Sequence, residues 1–68
     1  MPTWEPKAEM TAQLPDSVNE SELCWYAYRD GRVHARIDTS EYSFDTYIFS
    51  KEGDSWVLVE SVSRVTVN

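Results

Sequence analysis

The dipeptide Asp30-Gly31 constrains this chain more than any other pair of residues. It lies between two runs rich in aromatic and β-branched residues, and Asp-Gly in that setting closes a β-hairpin. A two-residue type I′ turn needs positive φ at both central positions, which Gly adopts freely and Asp tolerates. Such a turn predicts the cross-strand pairs Arg29–Arg32, Tyr28–Val33, Ala27–His34, Tyr26–Ala35, Trp25–Arg36 and Cys24–Ile37. Paired residues share a face and neighbours alternate, so Cys24, Tyr26, Tyr28, Val33, Ala35 and Ile37 form the expected core face. Leu23, Trp25, Ala27, Arg29, Arg32, His34, Arg36 and Asp38 form the other, which meets water or a partner.

Downstream, Thr39-Ser40-Glu41 reads as a turn and residues 42–50 as a third strand. Tyr42, Phe44, Thr46 and Ile48 share one face of it; Ser43, Asp45, Tyr47 and Phe49 share the other. Residues 51–55 read as a five-residue hairpin loop, and residues 56–67 as a long fourth strand whose alternation slips, which predicts a bulge or bend near residues 60–63. Consecutive hairpins make a four-stranded antiparallel meander with strands near residues 22–29, 32–38, 42–50 and 56–67. The expected class is all-β, or α+β by one short N-terminal helix. Strands three and four carry apolar residues on both faces, so either the sheet curls into a half-barrel or one face is intermolecular.

Residues 1–21 read as an N-terminal arm before a sheet domain of residues 22–68. The arm holds all three prolines, and residues 5–14 are good helix formers, with Thr3 as a candidate cap, Pro6 in the first turn and Pro15 as the stop. Trp4, Ala8, Thr11 and Leu14 make a ragged apolar stripe; the alternative is an extended arm anchored by Trp4. Ser17-Val18-Asn19-Glu20 has capping-box spacing and predicts one further helical turn.

One cysteine allows no internal disulfide, and one Cys with one His cannot build a zinc site in a single chain. No cofactor or metal is therefore expected, and the thin core of a 68-residue chain points to tight packing or oligomerisation. Cys24 on the core face and His34 on the other would not meet as nucleophile and base. The only glycines, Gly31 and Gly53, lie in turns, so no phosphate-binding loop is present. Asp38, Glu41 and Asp45 lie on a sheet too small for a glycosidase cleft. No enzyme is expected.

No basic region followed by an apolar run opens the chain, and no stretch reaches the ~20 apolar residues of a membrane helix. With a lone thiol, these features lead to an expectation of a cytoplasmic protein. A net charge of −6 argues against nucleic acid and favours a protein partner with a basic surface. The partner-binding candidates are Trp25, Arg29, Arg32, His34 and Arg36, because Trp, Tyr and Arg dominate interface hot spots. A purely local reading of the same face pairs Trp25 with Arg36 as a cation–π contact. The expected function is a small acidic, non-enzymatic module that binds and modulates or inhibits a macromolecular partner. Two alternatives are a single-stranded nucleic-acid binder using the same arginine and aromatic face, and an assembly subunit. In the assembly reading the edge of Arg64, Val65, Thr66 and Val67 pairs with a neighbour in a larger complex, and the same edge is the self-association candidate for the interaction module as a homodimer.

Overall fold

The computed structural model describes residues 7–66. Four strands, β1 (Cys24–Ala27), β2 (Val33–Ser40), β3 (Ser43–Glu52) and β4 (Ser55–Val65), form one antiparallel sheet in the order β1-β2-β3-β4. The fold is thus the all-β meander, with one helical turn, α1 (Ala8–Thr11), ahead of it. The sheet does not close, and β1 and β4 are its edges. Thr3, Trp4, Pro6 and Val67 lie outside the described residues.

The first hairpin differs from the expected register by one residue. The observed pairs are Cys24–Arg36, Trp25–Ala35, Tyr26–His34 and Ala27–Val33. The loop holds three residues, Arg29-Asp30-Gly31, because Tyr28 donates its N–H to the Arg32 carbonyl at 2.9 Å. Gly31 donates to the Tyr28 carbonyl and alone carries positive φ, +88°, while Asp30 does not. That is a type I turn followed by a left-handed glycine, the commonest three-residue hairpin. Asp30 Oδ1 accepts the Arg32 N–H at 2.9 Å and pins the turn. A one-residue slip sends every β1 side chain to the opposite face. Trp25 therefore turns to the core side, and Cys24, Tyr26 and Tyr28 turn away from it.

The rest of the meander follows the alternation of the sequence. The five-residue loop contracts to Gly53-Asp54, since Glu52 pairs with Ser55 and Gly53 takes φ +64°, the residue order of a type II′ turn. The bulge in β4 falls at Val59: Ile48 pairs with Glu60 and Phe49 with Leu58, leaving Val59 as the extra residue. It lies just ahead of residues 60–63, where the sequence placed it.

All the buried β2 residues and two from β3 point to one side. Val33, Ala35, Ile37, Tyr47 and Phe49 meet Met10 and Leu14 from the N-terminal segment, with Val18, Leu23, Trp25, Trp56 and Leu58 packed around them. Met10, which the sequence-derived stripe omitted, is 0% exposed. The helix is one turn long rather than spanning residues 5–14. Its last turn is completed by the N–H groups of Gln13 and Leu14 donating to the carbonyls of Met10 and Thr11. A 3₁₀ turn at Glu20–Glu22 precedes β1, capped by Asn19 rather than Ser17; Asn19 Oδ1 accepts from the Ser21 N–H and hydroxyl.

Candidate functional site

With one face covered by the N-terminal segment, the other face of the sheet has no described element over it. Strand alternation places Cys24 and Tyr26 of β1, with Tyr28 just beyond its end, on this open face, beside His34, Arg36 and Asp38 of β2 and Phe44, Thr46 and Ile48 of β3. Val57, Glu60, Val62 and Arg64 of β4 complete it. Ile48 is buried between its cross-strand partners His34 and Glu60, so the face has an apolar floor.

A groove of about 370 Å³ crosses it, lined by Tyr26, Tyr28, His34, Arg36, Phe44 and Thr46. Two interactions shape its walls. The Tyr28 and His34 rings stack with centroids 4.1 Å apart and a 36° tilt. Arg36 sits with its guanidinium carbon 3.8 Å from the Phe44 ring centroid and pairs with Asp38 at 3.5 Å. Such an exposed ion pair contributes little energy, about 0–1 kcal/mol, so its effect is to orient the guanidinium. Tyr26 and Tyr28 are about half exposed, 47% and 51%, although both are large rings. A smaller groove of about 250 Å³ adjoins through Tyr26 and Arg36 and is bounded by Glu22, Cys24 and Asp38.

Of the five partner-binding candidates, the structure brings His34 and Arg36 together. Arg32 lies at the mouth of the turn and shares their face by alternation, while Arg29 projects from the turn itself, exposed. Trp25 is separated from them: it faces the core, its ring 5.8 Å from Phe49. Phe44 takes the place beside Arg36 that the expected pairing gave to Trp25. Tyr26, Tyr28 and Phe44 are the site residues the sequence reading missed. For Tyr26 and Tyr28 the available signal is the phenolic hydroxyl, which costs energy to bury without a partner, whereas Phe44 is marked only by its place in the alternation of β3.

The corrected register also puts Cys24 and His34 on the same face, and Cys24 is exposed rather than in the core. Their backbones are diagonal neighbours, and the His34 ring leans on Tyr28, on the side away from Cys24. Among the described residues no group of three His, Cys, Asp or Glu side chains converges as a metal site, and no helix is long and apolar enough to cross a membrane. Of the self-association candidates, Arg64 and Val65 end β4, and Thr66 donates its N–H back to the Tyr42 carbonyl. No protein-family model matches the chain, and no curated protein or solved structure matches it either.

Proposed function

We propose that this protein is a small, acidic, non-enzymatic interaction module that seats a protein partner on the open face of its sheet and thereby modulates that partner. The observation that carries the reading is the exposure of Tyr26 and Tyr28 beside Phe44, His34 and Arg36 on the face that no described element covers. Tyr and Arg in an indented patch are the usual anchors of protein interfaces. The separation of the His34 ring from Cys24 favours binding over acyl-transfer chemistry.

Charge points the same way. By alternation the face carries Arg32, Arg36 and Arg64 against Asp38, Glu52 and Glu60, so it is balanced within a chain of net charge −6. A balanced aromatic groove suits a partner side chain, while the net acidity steers a partner with a basic surface. Affinity capture from the source cells, with wild type beside a Tyr26→Ser/Phe44→Ser variant, tests this. The expected result is a protein that wild type retains and the variant loses; an identical bound set overturns the reading. Circular dichroism confirms that the variant is folded.

A second reading, single-stranded nucleic acid, is favoured by the exposed rings beside Arg36 and Arg32, on which bases could stack. The same charge balance weakens it, since phosphate neutralisation supplies most non-specific affinity. Fluorescence anisotropy of labelled oligonucleotides at low salt decides: saturable binding lost in Arg32→Ala/Arg36→Ala would move the assignment to nucleic acid.

A further inference from the structure

The open edge of β4 reads the same in both directions. Residues 59–65 run Val-Glu-Ser-Val-Ser-Arg-Val. About Val62 as centre, valine mirrors valine, serine mirrors serine, and Glu60 mirrors Arg64. That is the pattern an antiparallel strand needs to pair with its own copy across a two-fold axis, because each residue i then meets residue 124 minus i of the partner. We propose that the protein forms a two-fold dimer by β4–β4 pairing centred on Val62. Independently of what the open face binds, this joins two sheets into one of eight strands.

The main chain is oriented for it. Thr66 donates its N–H to Tyr42 on the β3 side. With the two-residue period of a strand, Arg64, Val62 and Glu60 also turn their backbone groups inward, and Val65, Ser63 and Ser61 turn theirs outward. In the proposed register Ser61 meets Ser63 of the second copy, so outward groups meet outward groups and bond. Glu60 and Arg64 then fall at non-hydrogen-bonded positions, where side chains approach most closely, about 4.5 Å between Cα atoms. Their side chains share the open face, and neither has an ion-pair partner among the described residues. A mismatched register would lose this pairing of opposite charges.

The extent of the interface is also marked. Upstream, the edge is already occupied: Gln13 Nε2 donates to the Trp56 carbonyl at 2.8 Å, and Gln13 Oε1 accepts the Leu58 N–H at 2.9 Å. The free edge begins at Val59, the bulged residue, and both ends of the self-complementary stretch are exposed, Val59 at 46% and Val65 at 70%. The proposed self-associating segment is residues 59–65, which shares Arg64 and Val65 with the edge of residues 64–67 read from the sequence. A second copy fits this edge better than an unrelated strand because every one of its seven positions is matched by the chain itself.

Sedimentation equilibrium of the full chain over a wide dilution series tests the proposal. Wild type should fit a monomer–dimer equilibrium. Glu60→Arg and Arg64→Glu each place like charges opposite one another twice per dimer, and each should weaken dimerisation by about tenfold. The double variant Glu60→Arg/Arg64→Glu should restore it. In a Cys24→Ser background, Val62→Cys should oxidise to a covalent dimer, because its Cα separation of about 4.5 Å falls within disulfide range. A monomer at every concentration overturns the proposal, with the two charges then serving only to blunt an edge. A dimer indifferent to both single swaps, or not rescued by the double swap, overturns the register.

Discussion

Gln13 Oε1 accepts the backbone N–H of Leu58 at 2.9 Å, although the two residues lie 45 positions apart. The same amide donates to the Trp56 carbonyl and to the Glu9 carbonyl, so one side chain ties α1 to the edge of the sheet. It offers β4 the donor and acceptor that a neighbouring strand would offer. A short helix that could not persist alone is held in register with the core by this clamp.

Gln13→Ala should therefore destabilise the fold by about 1–2 kcal/mol, the net value of the two hydrogen bonds to β4, which water partly replaces. Gln13→Glu keeps the acceptor for Leu58 but faces the Trp56 carbonyl with a second oxygen, so it should be no better than alanine. Urea denaturation of the three proteins checks both statements. A Gln13→Glu variant as stable as wild type would show that the Trp56 contact contributes nothing.

Met10 is the second tie between the N-terminal segment and the sheet. It has no exposure and packs among the buried side chains of β2 and β3. Met10→Ala should cost about 2–5 kcal/mol. A chain of this size has only about 3–10 kcal/mol in total, so the variant loses a large share of its stability and should melt well below wild type. Met10→Leu, which conserves volume, should cost less than about 1.5 kcal/mol. Thermal melts followed by near-ultraviolet circular dichroism separate the two, and equal melts would mean that the segment does not belong to the cooperative core.

Asp30 and Gly31 divide the work of the first turn. Gly31 occupies positive φ with nothing near the place of a side chain, so Gly31→Ala should cost about 1–2 kcal/mol in backbone strain alone. Asp30→Gly is the sharper test. In a type I′ turn, glycine at this position would relieve strain and stabilise the hairpin. In the observed turn it removes the Asp30–Arg32 bond and a residue at negative φ, so stability should fall by about 1 kcal/mol. Cys24 gives a second readout of the same register: exposed on the open face, its thiol should react with a disulfide reagent in the native protein as fast as in urea. A protected thiol would restore the two-residue loop.

That register is where reading the residues reached its limit. The meander, the alternation along β2 and β3 and the bulge in β4 follow from period-two patterning and from turn residues, all of which are local. Asp-Gly serves both a two-residue and a three-residue loop, and the choice between them decides which half of β1 is buried. Cys24, Tyr26 and Tyr28 look as apolar as Leu23, Trp25 and Ala27, so hydropathy does not separate them. A phenolic hydroxyl does not decide it either, since Tyr47 is buried; the three-residue loop carries Tyr26 and Tyr28 to the wet side, where the groove forms. Met10 and Gln13 were illegible for a different reason. A single helical turn has no periodicity to display, and a long-range amide clamp leaves no trace in neighbouring residues.

Tyr47 links this buried face to pH. Burial withholds its phenolate from water, and Asp45, two residues along the same face, repels it; both raise the pKa above the ordinary value of 10.0. The folded state then holds the phenolic proton more tightly than the unfolded chain. The native state therefore binds more protons than the unfolded chain once pH exceeds 10.0, so this stability is fully present below pH 10.0 and is lost as pH rises through the folded pKa. Urea midpoints measured from about pH 8 to about pH 11 should decline for wild type and decline less for Tyr47→Phe, which has no proton to lose. Asp45→Asn removes the smaller cause and should fall between them. Parallel declines in all three proteins would show that another group governs alkaline unfolding.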